Sequence, residues 1–257
     1  MFGVVEGKFL SFLTLIILVL LAVFTNYLSK RRSLPSLRNI AALPAINEAI
    51  GRATEMGKKV FFTSGNHGLR DSYAPSMIAG TTLLYYIARR CANLGPELYV
   101  TIANQEVYPL QFAQVQEAYL VEGKIEAFNP ENIVFTGGGY TIQTIGEIER
   151  QKPAAFFLLG RPHIETITLT ETANHVGAIQ VAGCTNFAQT CYMVATCDYV
   201  MLGDELLAAG AILSQDIKQL SNIIATDFGK YLTLGILIIT LILFNLGVAN
   251  VINIFNW

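Results

Sequence analysis

The sequence predicts an α/β protein: a doubly wound, Rossmann-like, mostly parallel sheet flanked by N- and C-terminal transmembrane helices. Two observations carry this. Six short runs of apolar and β-branched residues recur through the middle of the chain, each followed by a Gly/Asn/Asp turn and a longer helical stretch. Strands apolar on both sides, separated by helices, fit a parallel sheet covered on two faces. The second observation is the charge pattern. The 257 residues are 53% hydrophobic and only 14% charged, against about 25% charged in a soluble domain. The deficit is confined to one block at each end.

The first block, FLSFLTLIILVLLAVFTNYLS (9–29), holds no charge. At a rise of about 1.5 Å per residue, about 20 residues cross the hydrocarbon core. Ser11, Thr14 and Thr25 can return their hydroxyls to the helix backbone. Positive charge follows this block, at Lys30, Arg31 and Arg32, which fits an uncleaved anchor better than a signal peptide. The second block, 231–257, is also uncharged and ends in Phe255 and Trp257, whose rings suit an interface. Transmembrane helices are expected over 9–29 and 231–253, with the α/β domain over 33–229. That domain has roughly 200 residues, enough for one buried core.

The positive-inside rule sets the orientation. Lys30, Arg31, Arg32 and Arg38 follow the first block and Lys230 precedes the second. The expectation is a cell (plasma) membrane protein whose domain is cytoplasmic and whose two termini lie outside. Asn245 falls in the second block, where an amide gains from a partner on another helix. The net charge of −2 gives no basic surface for nucleic acid. The expected partners are therefore the lipid bilayer, and a second copy or other membrane subunits.

The strand runs are KVFFT (59–63), LYVTI (98–102), NIVFT (132–136), AAFFLLG (154–160), GAIQVAG (177–183) and DYVMLG (198–203). Helical stretches lie near 75–94, 107–122, 139–151, 164–175 and 186–196, after an amphipathic helix over 45–56. Strand order is not legible at this level. None of the four cysteines, Cys91, Cys184, Cys191 and Cys197, forms a CxxC pair; buried thiols acting as small hydrophobes are expected.

Ligands of open parallel sheets bind beyond the carboxyl ends of the strands. Those ends carry His67, Glu106, Gly137-Gly138-Gly139, Arg161-Pro162-His163 and Glu165. Gly137, Gly138 and Gly139 open a helix and could offer N–H groups to an anion, or form a tight turn and nothing more. Arg161 and His67 are ligand-binding candidates. His163 and Glu165 are the candidates for acid–base chemistry, although a histidine near a turn is more often a cap or a surface group. No metal is expected, because His67, His163 and Glu106 lack ligand-like spacing. No cofactor is legible either. GxGxxG, the P-loop lysine and the Gly-x-Ser-x-Gly elbow are all missing.

The stretches EAIGRATEMGKKVFFTSG (48–65), ANQEVYPLQFAQVQEAYLVEGK (103–124), ERQKPAA (149–155), NHVGAIQVAG (174–183) and CDYVMLGDEL (197–206), with the two terminal blocks, resemble an uncharacterised prokaryotic two-transmembrane family known only as a domain of unknown function. The resemblance implies an anchored α/β architecture and no activity. With no catalytic motif, the leading expectation is a membrane-anchored scaffold or accessory subunit that self-associates and is not an enzyme. A ligand- or nucleotide-binding sensor, or an enzyme on a small anionic substrate using the strand-end rim, stand as alternatives.

Overall fold

The computed structural model describes residues 40–70, 72–215 and 217–245, with positions 15–17, 19, 20 and 23. The chain divides into two units: Arg38–Ser214, and Met1–Leu37 together with Gln215–Trp257. Arg38–Ser214 is the α/β unit. It opens with α1 (Ala42–Glu55), whose buried stripe Ala42, Ala45, Ile46, Ala49, Ile50 and Ala53 is mostly small side chains, so the helix lies close on its neighbours. Strand β1 (Val60–Gly65) follows and is buried throughout.

The rest alternates. Helix α2 (Ala74–Leu94) leads to β2 (Leu98–Ile102), α3 (Tyr108–Val121) and β3 (Ile133–Phe135). After them come α4 (Tyr140–Gln151), β4 (Ala155–Arg161), α5 (Thr166–His175), β5 (Ile179–Cys184), α6 (Phe187–Thr196), β6 (Tyr199–Leu202) and α7 (Asp204–Ser214). All six strands are parallel, in the order β3-β2-β1-β4-β5-β6. Helices α1, α2, α3 and α7 pack on one face of the sheet, and α4, α5 and α6 on the other. The side-chain period of two sorts the strands between these layers. Phe61, Tyr99, Phe156, Leu158 and Ala182 share one cluster with Ile148 of α4, Leu169 of α5 and Met193 of α6. Register places Phe61 beside both Tyr99 and Phe156, and the rings stack at 5.4 and 5.7 Å.

The chain runs from β3 past two strands to reach β4, so the winding reverses between β1 and β4. Two contacts shape that point. Helix α2 lies so close to β4 that a Cβ on Gly80 would stand 2.3 Å from the Leu159 carbonyl oxygen. The β1–β4 pairing also slips by one residue. Thr63 is opposite Leu158, but Gly65 is opposite Arg161, which leaves an extra residue in β4. Gly160 takes φ +151°, and a Cβ there would be 2.4 Å from the Ser64 oxygen. Such a bulge re-aims the side chain that follows it, and here that side chain is Arg161.

The other unit contains α8 (Ile217–Asn245). Residues 217–229, expected in the α/β domain, form the first part of this helix. Among the described residues no helix is long and apolar enough to cross a membrane. The expected span 231–253 is described only to Asn245, and most of 9–29 lies outside the described residues. The described second half of α8 exposes Tyr231, Leu234, Leu237, Leu241 and Ile242.

Candidate functional site

Four side chains meet where the winding reverses. Gly65, at φ +93°, ends β1, and a Cβ there would be 2.3 Å from the Arg161 carbonyl oxygen. The next turn therefore crosses directly over the end of β4. His67 then reaches that carbonyl oxygen with Nδ1 at 3.1 Å, and its ring lies 5.8 Å from that of His163. Tyr73, just before α2, meets the His67 ring edge-on at 5.1 Å and lies flat under the Arg161 guanidinium at 3.8 Å.

Arg161 is the unusual member. Its side chain is only 2% exposed. One terminal nitrogen donates to the Pro162 carbonyl oxygen at 3.0 Å and approaches Cys184 Sγ at 3.9 Å. Nε is buried with no hydrogen-bond partner. Among the described residues no carboxylate comes within ion-pair reach of it. Removing a guanidinium from water without a counter-charge is expensive. The Tyr73 face returns about 2 kcal/mol when desolvated, and one carbonyl oxygen adds a single charged hydrogen bond.

The structure divides the residues that the sequence singled out. His67, Arg161 and His163 come together. Glu165 is buried nearby, but its Oε1 accepts the backbone N–H of His163 at 2.9 Å. That carboxylate caps the turn before α5 and does not meet the His163 imidazole, which is exposed. The pairing that acid–base catalysis would need is not formed. Gly137, Gly138 and Gly139 form a single 3-10 turn at the end of β3, three strands from Arg161. Gly137 and Gly138 line a different cleft, of about 760 Å³, at the ends of β1, β2 and β3. Among the described residues no group of three or more His, Cys, Asp or Glu could hold a metal ion.

Other rim residues have local duties. Asn186 caps α6 by accepting the Gln189 N–H at 3.2 Å, and Glu205 accepts the Leu202 N–H at 3.0 Å. Tyr140, opening α4, is buried and hydrogen-bonded to Thr63 at 2.7 Å; burial pushes its hydroxyl up from the ordinary tyrosine range. Cys184 is likewise raised by burial, against the Asn186 N–H and Arg161. Burial pushes Cys197 up to about 12 and raises Cys91. All four thiols are free, and Cys191 alone is exposed.

Sequence reasoning did not find Tyr73 or the bulge. Gly160, lone within an apolar run and followed by a charge, was the available signal, since a glycine inside a strand often marks a bulge.

A parallel sheet wound 3-2-1-4-5-6, with its crevice at the reversal between β1 and β4, defines the class: a Rossmann-type doubly wound domain. The chain belongs to the family described as Domain of unknown function (DUF6754), whose model matches residues 3–255. No curated protein and no solved structure matches it.

Proposed function

We propose that this protein is a membrane-anchored ligand-binding module that takes a small oxyanion, phosphate- or carboxylate-bearing, at the β1–β4 reversal. The observation that carries the reading is Arg161: a buried cation without a carboxylate partner among the described residues, set after a bulge at the end of β4, beside the reversal where doubly wound sheets hold ligands. A planar fork of donors suits an oxyanion, and His67 and His163 add donors beside it. The ligand displaces the Tyr73 ring from the guanidinium and supplies the missing counter-charge. Such a module is a sensor or regulatory subunit. The scaffold reading rests on the missing catalytic motifs, an apolar surface that invites partners, and Asn245, whose side chain lies outside the described residues.

The test is a thermal-unfolding panel on the full chain in detergent, with phosphate, sulfate, small carboxylates and nucleotides. An anion at a hundredfold excess over its Kd stabilises by about 2.7 kcal/mol, roughly 5–10 °C for a domain of this size. A panel in which no anion raises Tm rejects the reading.

The anchors belong to the same proposal. They are supported by the uncharged blocks, the cationic collar Lys30, Arg31, Arg32 and Arg38, the apolar side chains along α8, and a family model that reaches across both ends. With the domain in the cytoplasm, a membrane-impermeant maleimide added to intact cells leaves the protein unlabelled. Opening the membrane exposes one fast thiol, Cys191. Labelling of that thiol from outside contradicts the orientation.

A further inference from the structure

Helix α6 is amphipathic with its polar side turned inward. Its buried positions include Gln189 and Thr190. Gln189 Oε1 accepts the Thr166 hydroxyl at 2.7 Å, Thr190 donates to the Cys184 carbonyl oxygen at 3.0 Å, and Thr196 donates to the Thr170 hydroxyl at 2.9 Å. These polar side chains are spent on α5 and β5. The outward face is left with Phe187, Ala188, Cys191, Tyr192, Val194 and Ala195, all exposed. Their spacing follows the helical period, so they form one apolar stripe, and Phe187 in it is 83% exposed.

The neighbouring helices differ. Helices α4 and α5 cover the same face of the sheet, and their exposed positions carry charge: Glu149 and Arg150 on α4, Glu171 on α5. Helix α6 carries none, and no lysine or arginine occurs from 162 to 217. A helix lying on lipid headgroups holds them with basic side chains, which this region does not have. A second copy of the same surface makes a different demand. Near a two-fold axis each side chain meets itself or a close neighbour from the other copy, so a charge there would meet its like. Of the three helices on this face, α6 alone satisfies that condition. Its small residues Ala188, Cys191 and Ala195 also let a second helix come close.

We infer that α6 packs against α6 of a second copy about a two-fold axis, with Phe187 as the apolar anchor and the two Cys191 thiols close to each other across it. Aromatic side chains at the centre of an interface carry most of its energy. The contact is reversible, so Cys191 stays open to small reagents, and it does not depend on the anion site.

Sedimentation of the full chain in detergent, combined with cross-linking by a short bis-maleimide, tests this. Wild type is expected to sediment as a dimer. A reagent matched to the roughly 8–10 Å between the axes of packed helices is expected to join two chains through Cys191, and Cys191→Ser to lose the product. Phe187→Glu sets a charge against its own copy and is expected to weaken the dimer about thirtyfold or more. Ile142→Glu is the control. Ile142, on α4, is 80% exposed, and the same change there is expected to leave the dimer intact. A monomeric wild type overturns the inference. So does a dimer that Cys191 does not cross-link, or that Phe187→Glu leaves unchanged, because such a dimer is held elsewhere. Equal losses in Phe187→Glu and Ile142→Glu overturn it too. Because cross-linking is read on the wild type, a poorly folding Phe187→Glu does not remove the test.

Discussion

Gly65→Ala is expected to lower the unfolding free energy by roughly 2–5 kcal/mol, or roughly 4–20 °C in Tm. Two effects add. At φ +93° a side chain is strained whatever the space around it, and the new Cβ would stand 2.3 Å from the Arg161 carbonyl oxygen. That oxygen belongs to backbone held between β1 and β5, so it cannot move aside as a side-chain tip would. Gly57→Ala is the control. It also has positive φ, +62°, but nothing lies within 4 Å of a Cβ there, so only the conformational cost of about 1–2 kcal/mol applies. Denaturant unfolding of the two variants, side by side, measures the difference. Equal losses would mean that the β1 turn does not cross the end of β4 as closely as described.

Arg161→Met is expected to abolish anion-dependent stabilisation while leaving the ligand-free protein as stable as wild type, or more stable. The sign follows from burial. A guanidinium held out of water without a carboxylate is a net cost, and an apolar side chain of similar length removes it. Replacing buried ionic groups by well-packed apolar ones is neutral or stabilising by roughly 1–4 kcal/mol. A bound oxyanion that loses its buried charged partner is weakened by about 2–5 kcal/mol, at least roughly thirtyfold. A structural arginine would behave in the opposite way: its loss would destabilise the free protein and leave any anion response intact. Arg161→Lys keeps the charge without the planar fork and is expected to fall between.

How far these features were legible in the sequence differs from element to element. Strands buried on both faces announced themselves, because β1, β2, β4 and β5 are nearly unbroken apolar runs; LYVTI (98–102) coincides with β2. The helices that follow were bracketed to within about two residues by their turn residues. Helix α7 was not distinguished, since DELLAAGAILS follows β6 directly and its apolar positions show little periodicity. Strand order was not legible, because crossover direction depends on which pairings win in three dimensions. The site was visible as residue types and not as a place. His67 and His163 stand 96 positions apart, and only the order β1-β4 brings them together. The glycine triplet at 137–139 looked like the stronger signal, yet Gly137 and Gly138 line a different cleft, at the ends of β1, β2 and β3. Arg161 could be named from the sequence, but not its burial, which arises from the β4 bulge and from Tyr73 at the start of a helix on the opposite side of the crevice.

The most direct test of the anion site uses the chain's three histidines. His67 and His163 flank Arg161, while His175 ends α5, roughly 15 Å along that helix from its start. With histidine-selective labelling, the imidazole resonances of the full chain in detergent can be followed as inorganic phosphate and then AMP are added. Two resonances, assigned to His67 and His163 by substitution, are expected to move and saturate together while His175 stays in place, and the movement is expected to vanish in Arg161→Met. Resonances that all stay fixed, or all drift alike with His175, would contradict an oxyanion site at the β1–β4 reversal.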